Sequence, residues 1–425
     1  MKDLLQFLNA SPSRFHAVEN LKNLLEAEGY RCLSEGQSWD LAAGGKYLAV
    51  RGGSALIAFR LPDRPVRGFM ISASHSDSPS FHIKENAELA GPEKYLRLNT
   101  ERYGGAMFAT WLDRPLTVAG RVLVKDGDAI QTKLVYVDKD LLVIPNVAGH
   151  MNRGINDGFK YDPKCDLVPL MSQGAEKGTF RSIIARSAGC RAEDILGADL
   201  YLQPRQKAVV WGAEDEFISS SQLDDLQCAW GCFQGFLSAG ESGSIPLYAL
   251  LDNEEIGSHT KQGAGGTFLE DVMARVCAAV EMEYAAAVAN SFVVSADNAH
   301  AVHPNHPEFH DATHRPLMNS GVVIKHGVRY ATDGAAQAVF AALCQKANVP
   351  VQHFANRSDM PGGGTLGLIS TAHVSAYTVD IGLAQLAMHS CFETAGVKDT
   401  DYLIQAMAAF YSASFRGENG RFVLE

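Results

Sequence analysis

The chain has no unbroken apolar run near the ~18 residues that a membrane-spanning helix needs. Its opening, Met1-Lys-Asp-Leu-Leu-Gln-Phe-Leu-Asn-Ala-Ser-Pro12, has no long apolar core ahead of a small-residue cleavage site, so neither secretion nor a membrane is expected. Positive charge is scarce: 37 Lys and Arg face 48 Asp and Glu, a formal net charge of −11. Such a surface has no global attraction for nucleic acid or an anionic membrane. The eight cysteines contain no C-x-x-C pair, and Cys228 and Cys232 stand one helical turn apart. A chain this long needs no staples, so reduced thiols of a cytoplasmic protein are expected. H-E-x-x-H, G-x-S-x-G and Walker motifs are also missing, which argues against zincins, serine hydrolases and P-loop enzymes.

The 425 residues are 46% hydrophobic and 20% charged, an ordinary globular balance. That length suits roughly two or three domains at ~150 residues each. Phe15, Val18, Leu21, Leu24 and Leu25 recur at helical spacing after Ser11-Pro12-Ser13. Short strands are expected at Tyr47–Val50, Ala55–Phe59 and Gly68–Ala73. Beyond residue 222 helices (Gln222–Leu237, Phe268–Ala289, Ala335–Lys346) alternate with apolar strands (Ile245–Leu251, Ser291–Ser295, Val374–Val379). That alternation predicts an α/β fold with a mixed or parallel central sheet covered by helices on both faces. Between them, residues 84–212 read as a mostly β insertion. It has a hairpin turning at Asp126-Gly127 and strands at Leu141–Ile144, Asp199–Leu202 and Ala208–Trp211. The domain division is therefore 1–83 with 213–425 around an insertion at 84–212.

Ligands in such sheets gather beyond the carboxyl ends of the strands. Just past the expected strands stand Ser74-His75-Ser76-Asp77-Ser78-Pro79, Asp252-Asn253-Glu254-Glu255 and Ala296-Asp297-Asn298-Ala299-His300. Asp380 and then Met388-His389-Ser390 lie near the last strand, and Leu223-Asp224-Asp225 opens a helix. Singly, each is ordinary, since acids after strands often cap helices. Adjacent Glu254 and Glu255 repel unless a cation compensates. Together the histidines and carboxylates predict a divalent metal site without thiolate, suited to zinc, manganese or cobalt. A bridging carboxylate would allow two ions ~3.5–4 Å apart that activate water between them.

His-Ser-Asp-Ser-Pro, Leu-Asp-Asp, Asp-Asn-Glu-Glu-Ile-Gly-Ser, Ser-Ala-Asp-Asn-Ala-His, Arg-Ser-Asp-Met and Ala-Met-His-Ser, in this order, resemble the aspartyl aminopeptidase family of co-catalytic zinc peptidases. The resemblance runs from Ser11-Pro12 to Phe410-Tyr411. It implies a zinc-peptidase or phosphorylase-like fold and two zinc ions per subunit, with manganese or cobalt as substitutes. His75 and Asp297 would bind one ion, Glu255 and His389 the other, and Asp224 both. Asp77 would orient His75, and Glu254 would be the general base, passing its proton to the leaving amine. The Asp224–Asp225 peptide is expected to be cis.

The same resemblance places His300, Lys325 and Tyr330 in the substrate pocket. Lys325, in Val-Ile-Lys-His-Gly-Val-Arg-Tyr, is suited to an acidic first side chain. His150, in Ala-Gly-His-Met-Asn-Arg, would complete a neighbour's site, which makes the inserted unit a dimerisation domain in a cytoplasmic homo-oligomer, typically a tetrahedral dodecamer. The implied activity is removal of N-terminal Asp or Glu from peptides. The alternatives are a broad or leucine-like specificity and, in another class, an inactive oligomeric metal-binding shell. Gly362 to Gly367 matches G-x-G-x-x-G literally, but the preceding strand ends near Phe354, so a glycine turn is expected rather than a nucleotide site. Pro304 and Pro307 keep His303, His306, His310 and His314 off a common helical face, so these read as loop and interface residues.

Overall fold

A computed structural model describes residues 1–418 and 420–425. Its backbone is a nine-stranded mixed sheet. From edge to edge the strands are Arg31–Leu33, Lys46–Arg51, Ala55–Arg60, Ile245–Leu251, Phe69–His75, Phe292–Ala296, Tyr377–Gly382, Val322–His326 and Val351–Ala355. The four strands from Ile245–Leu251 to Tyr377–Gly382 run parallel, so their carboxyl ends share one rim.

These strands are apolar at nearly every position because both faces are covered. Alternate side chains go to opposite sides. Leu56, Ala58, Met70, Tyr248, Leu250, Val294 and Ile381 meet the helices Lys2–Ala10, Arg14–Ala27, Leu223–Ser238, Gly334–Lys346 and Val397–Tyr411. Ile57, Phe59, Ile71, Ala73, Leu247 and Ala249 meet the helices Phe268–Ala279, Tyr284–Ala289 and Leu366–Ser370. The expected α/β class with a doubly covered mixed sheet is what the chain adopts.

Several boundaries differ from the sequence reading. The amino-terminal helical pattern is two helices, broken at Ser11-Pro12-Ser13. The expected helix Phe268–Ala289 ends at Ala279 and restarts at Tyr284, because Glu281 takes a left-handed φ of +55° and Glu283 caps the new start. The last apolar strand begins at Tyr377 rather than Val374, because the chain before it turns out of a short helix. Leu142, Val143 and Ile144 form only isolated bridges.

A six-stranded antiparallel sheet gathers Ser80–Ala90, Tyr95–Tyr103, Leu116–Asp126, Ala129–Tyr136, Leu170–Gln173 and Ile195–Pro204 around its own apolar core. The hairpin turns at Asp126–Ala129. Val209–Trp211 does not join it; that strand pairs with Phe217–Ser220 in a five-stranded sheet that also holds Glu393–Gly396, Ala384–Leu386 and Ala299–His300. This small sheet ties the entrance of helix Leu223–Ser238 to the segment carrying His389.

Helix Leu223–Ser238 packs closely on Val397–Tyr411 because glycines face the partner. A Cβ at Gly235 would stand 2.5 Å from Met407 Cβ and 3.0 Å from the Ala408 nitrogen. Gly235→Ala should therefore destabilise the protein by about 1–3 kcal/mol, overpacking outweighing the ~1 kcal/mol gain in helix propensity. Urea unfolding of the two proteins checks this.

Candidate functional site

The parallel strands deliver their acids and one histidine to the shared rim. His75 ends one strand, Asp252, Glu254 and Glu255 follow Leu251, and Asp297 follows Ala296. Asp224 enters from the start of its helix across a cis Asp224–Asp225 bond, as expected. His389 comes from the turn after Ala384–Leu386.

The tight turns that carry these groups use non-glycine residues at positive φ. Gln222 is at +62°, Asn253 at +60°, Ala387 at +56° and His389 at +68°. Such backbone costs of order 1–3 kcal/mol per residue and persists where surroundings over-determine it. Here buried carboxylates do so by accepting the turns' amides. Asp77 Oδ1 and Oδ2 accept the N–H groups of Glu254 (3.0 Å) and Glu255 (3.2 Å). Glu393 accepts the N–H groups of His389 (2.7 Å) and Asp224 (3.0 Å), and Asp225 accepts that of His75 (3.1 Å).

The side chains converge as two sets that share one carboxylate. His75 Nε2 lies 3.4 Å from Asp224 Oδ1 and 3.7 Å from Asp297 Oδ1. His389 Nε2 lies 3.7 Å from Asp224 Oδ2 and 3.6 Å from Glu255 Oε2. Ligand atoms of His75, Glu254 and Glu255 also lie within 4.8 Å of one another. The His75 ring is oriented by its Nδ1–H, which donates to the Asp77 backbone carbonyl at 3.0 Å; the Asp77 carboxylate is farther, at 3.4 Å. Asp77 thus holds the histidine chiefly by its main chain, while its carboxylate holds the glutamate turn.

Asp224 Oδ1, Asp225 Oδ1 and Glu255 Oε1 are buried without a hydrogen-bond donor. Orphaned carboxylate oxygens in a dry site are costly unless a cation takes them. Burial pushes Glu254 up to about 8 and, with Asp224 as neighbour, Glu255 well above the carboxylate range. Asp224 is raised by burial and by Asp297. Burial and ligand chemistry thus fit histidine-carboxylate binding of a divalent metal such as zinc.

Around this cluster, Lys325 is buried and its Nζ lies 3.3 Å from Asp297 Oδ2. Burial opposes the Lys325 charge, but Asp297 together with Tyr330 and Asp380 outweighs it and raises the ammonium pKa. The Tyr330 ring centre is 5.8 Å from the same Nζ, and His300 packs edge-on against Phe354 at 5.7 Å. His303, His306 and His310 share a cavity of about 400 Å³ with His300. His150 stands apart, exposed on a turn of the inserted segment. Gly367 is required by close approach, since a Cβ there would meet the Asp380 carboxylate at 2.2 Å.

Residues 7–411 match the pattern of the aminopeptidase I zinc metalloproteases (M18). The chain belongs to this family. It is therefore a zinc aminopeptidase, a hydrolase of peptide bonds. It is 41% identical over 423 residues to a probable M18 family aminopeptidase 2 of Clostridium novyi, covering 96% of this chain and 98% of that one. Its fold matches a chain in the Ape4 and Nbr1 complex, with a TM-score of 0.93 at 33% identity, covering 97% of this chain and 85% of that one. It also matches the S. cerevisiae mApe1 dodecamer, with a TM-score of 0.85 at 27% identity, covering 96% and 95%. Among the described residues no helix is long and apolar enough to cross a membrane.

Sequence reasoning passed over Arg14, Tyr103 and Glu393, and placed Asn253 and Asp225 on the rim without giving them a role. Arg14 had a readable signal: it shares a helical stripe with buried Ala17, Val18, Leu21 and Leu25, where a cation is out of place without a partner. Glu393 likewise interrupts an inward-facing position of a short strand. Tyr103 had no local signal, because its partners lie 26, 89 and 150 residues away.

Without metal, Glu254, raised to about 8, holds a proton in the fold that it lacks when unfolded near neutrality, and His75, Glu255 and Asp224 are shifted in the same direction. Asp77, held at about 2, and Asp297, also lowered, are ionised in both states above pH ~5 and add no slope there. Between about pH 5 and 8 the folded chain therefore binds more protons, and stability falls as pH rises. The metal-stripped protein should melt higher at pH 6 than at pH 8, and added zinc should raise the melting temperature more at pH 8. Scanning fluorimetry across that range measures both.

Proposed function

We propose that this aminopeptidase holds two zinc ions, or manganese or cobalt in their place, and removes N-terminal aspartate or glutamate from peptides. The observation that carries the two-ion reading is Asp224, which turns Oδ1 toward His75 and Oδ2 toward His389. His75 and Asp297 would hold one ion, Glu255 and His389 the other, and Asp224 would serve both. When bound, zinc supplies a Lewis acid that polarises the peptide carbonyl and acidifies water.

The chain's own residues do the rest. Glu254 takes a proton from the attacking water onto its carboxylate and returns it to the leaving amine; burial makes that carboxylate a stronger base than a free glutamate once bound cations hold it ionised. Asp77 keeps His75 and the Glu254 turn in register. Lys325 has three N–H donors, of which the pair with Asp297 engages one, so a substrate carboxylate can take another. His300 and Tyr330 line the same pocket, and His150 of one subunit reaches the site of its neighbour. In this reading residues 1–83 and 213–425 form the catalytic domain, 84–212 the oligomerisation domain, and the assembly is a dodecamer built from dimers in the cytoplasm.

A broad or leucine-like specificity is the second reading. The 3.3 Å pair favours it, because Asp297 already matches the Lys325 charge. Hydrolysis of an aspartyl and a leucyl anilide, with chelator and with zinc restored, decides between them. Chelator-sensitive turnover that favours aspartyl supports the acidic reading; a leucyl preference discards it and keeps the metals. Lys325→Leu should lower the aspartyl-to-leucyl ratio of kcat/KM by at least about tenfold, the scale of one charged contact. Glu254→Gln should retain its zinc and lose about 10²–10⁴ in kcat. Unchanged turnover in that variant removes Glu254 as the base.

A further inference from the structure

We propose that Arg14 and Tyr103 are positioning residues for the reaction. On this proposal they form a buried clasp through which the amino-terminal helix and the antiparallel sheet set the turn carrying Glu254 and Glu255. The inference rests on the roles given above to Asp77 and Glu254.

Arg14 begins the helix Arg14–Ala27 and is 5% exposed. Its guanidinium lies between two rings of the six-stranded sheet, 4.2 Å from the centre of Tyr103 and 4.5 Å from that of Tyr201. Nη1 donates to the Tyr103 hydroxyl at 2.6 Å and to Asp252 Oδ1 at 2.9 Å. A cation this deep is fixed by stacking and charge together.

The polarity of the next link is forced. Asn253 Oδ1 accepts from Thr260 Oγ1 (2.9 Å) and Gln262 Nε2 (3.0 Å), so the amide nitrogen faces Tyr103 and donates to its hydroxyl at 2.8 Å. The hydroxyl therefore accepts from two donors, Arg14 and Asn253. Its single proton goes to Asp77 Oδ2, at 2.7 Å. The Asp77 carboxylate in turn accepts the amides of Glu254 and Glu255. Asp252 Oδ1, held by Arg14, accepts the amide of Asn253 at 2.7 Å, the residue whose left-handed φ makes the turn. Arg14 thus grips both ends of the loop, through Asp252 before it and through Tyr103 and Asp77 beneath it. A merely structural ion pair needs Arg14 and Asp252 alone; it gives the tyrosine hydroxyl no task.

Neither residue touches the reacting atoms, so their loss should act on kcat with little change in KM. Tyr103→Phe in the full chain keeps the ring over Arg14 and removes only the hydroxyl. Its kcat on the preferred anilide should fall about 10–100-fold, the usual effect of losing an outer hydrogen-bond partner of a metal site. KM and zinc content should stay near wild type, and the melting temperature should fall by no more than a few degrees, the scale of lost hydrogen bonds in a chain of this size. Arg14→Lys keeps the charge but not the fork and should fall similarly. The double variant should be no worse than the poorer single one by more than about twofold, because both act through one link. A Tyr103→Phe kcat within about twofold of wild type overturns the inference. So does a kcat loss that merely follows lost zinc or a larger fall in melting temperature, and so do additive variants. A wild type that splits neither anilide overturns the functional reading and this inference with it; an active wild type with an unimpaired Tyr103→Phe overturns the inference alone.

Discussion

The structure depends on one electrostatic constraint: carboxylates are buried side by side around Asp224 with too little cationic side chain to balance them. The cations are divided by task. Arg14 compensates Asp252 and, through Tyr103, Asp77, while Lys325 compensates Asp297. Asp224 and Glu255 have only histidines within ion-pair distance, and among the described residues Asp225, Glu254 and Glu393 have no ion-pair partner. The uncompensated charge thus lies in the middle of the cluster, where the ligand atoms come closest. Like charges this close are stable as anions only around a positive ion. The same deficit explains why burial and neighbouring charge raise Glu255 and Asp224.

A second constraint is geometric. Histidine and carboxylate must point inward from the ends of strands whose own side chains alternate up and down, so Glu254, Glu255 and His389 are carried on sharp turns. Asn253 and His389 accept left-handed backbone at those turns without being glycine. Of the acids that take the turn amides, Asp77 is held ionised and contributes hydrogen bonds to charge, worth about 1.5–3 kcal/mol apiece, and Glu393 adds two more acceptor contacts. That is enough to offset the local backbone cost. These acids serve position, and the acids beside them serve chemistry.

Much of this was legible in the sequence, for identifiable reasons. The doubly covered sheet could be read because its strands are apolar throughout, and the rim because acids and histidines fall just past strand ends. Both signals are local. The failures were also local in cause. Glu281 and Glu283 break an alanine-rich helical stretch by backbone conformation rather than by composition. Leu141–Ile144 looked like a strand and forms only bridges. Val209–Trp211 read as part of the insertion yet pairs with Phe217–Ser220, beyond its expected end. The Arg14–Tyr103–Asp77 chain could not be assembled at all, since it joins a helix, a sheet and a strand end far apart in sequence. A buried arginine on an apolar stripe signals that a partner exists without saying where.

Lys325 draws these constraints together. Its ammonium lies against Asp297, a carboxylate that also faces His75. In the proposed function, any acidic side chain that the pocket accepts would share that ammonium with Asp297, so recognition of the first residue and the posture of a proposed metal ligand would not be independent. A neutral side chain leaves the pair undisturbed but gains nothing from it. Selectivity at this pocket is therefore set by a difference: what a substrate carboxylate gains from the remaining donors of Lys325, less what Asp297 gives up. Burial magnifies both quantities, because few waters remain to screen either. The pocket's chemistry and the metal centre's charge balance are in this way one electrostatic system, with Lys325 at the boundary between them.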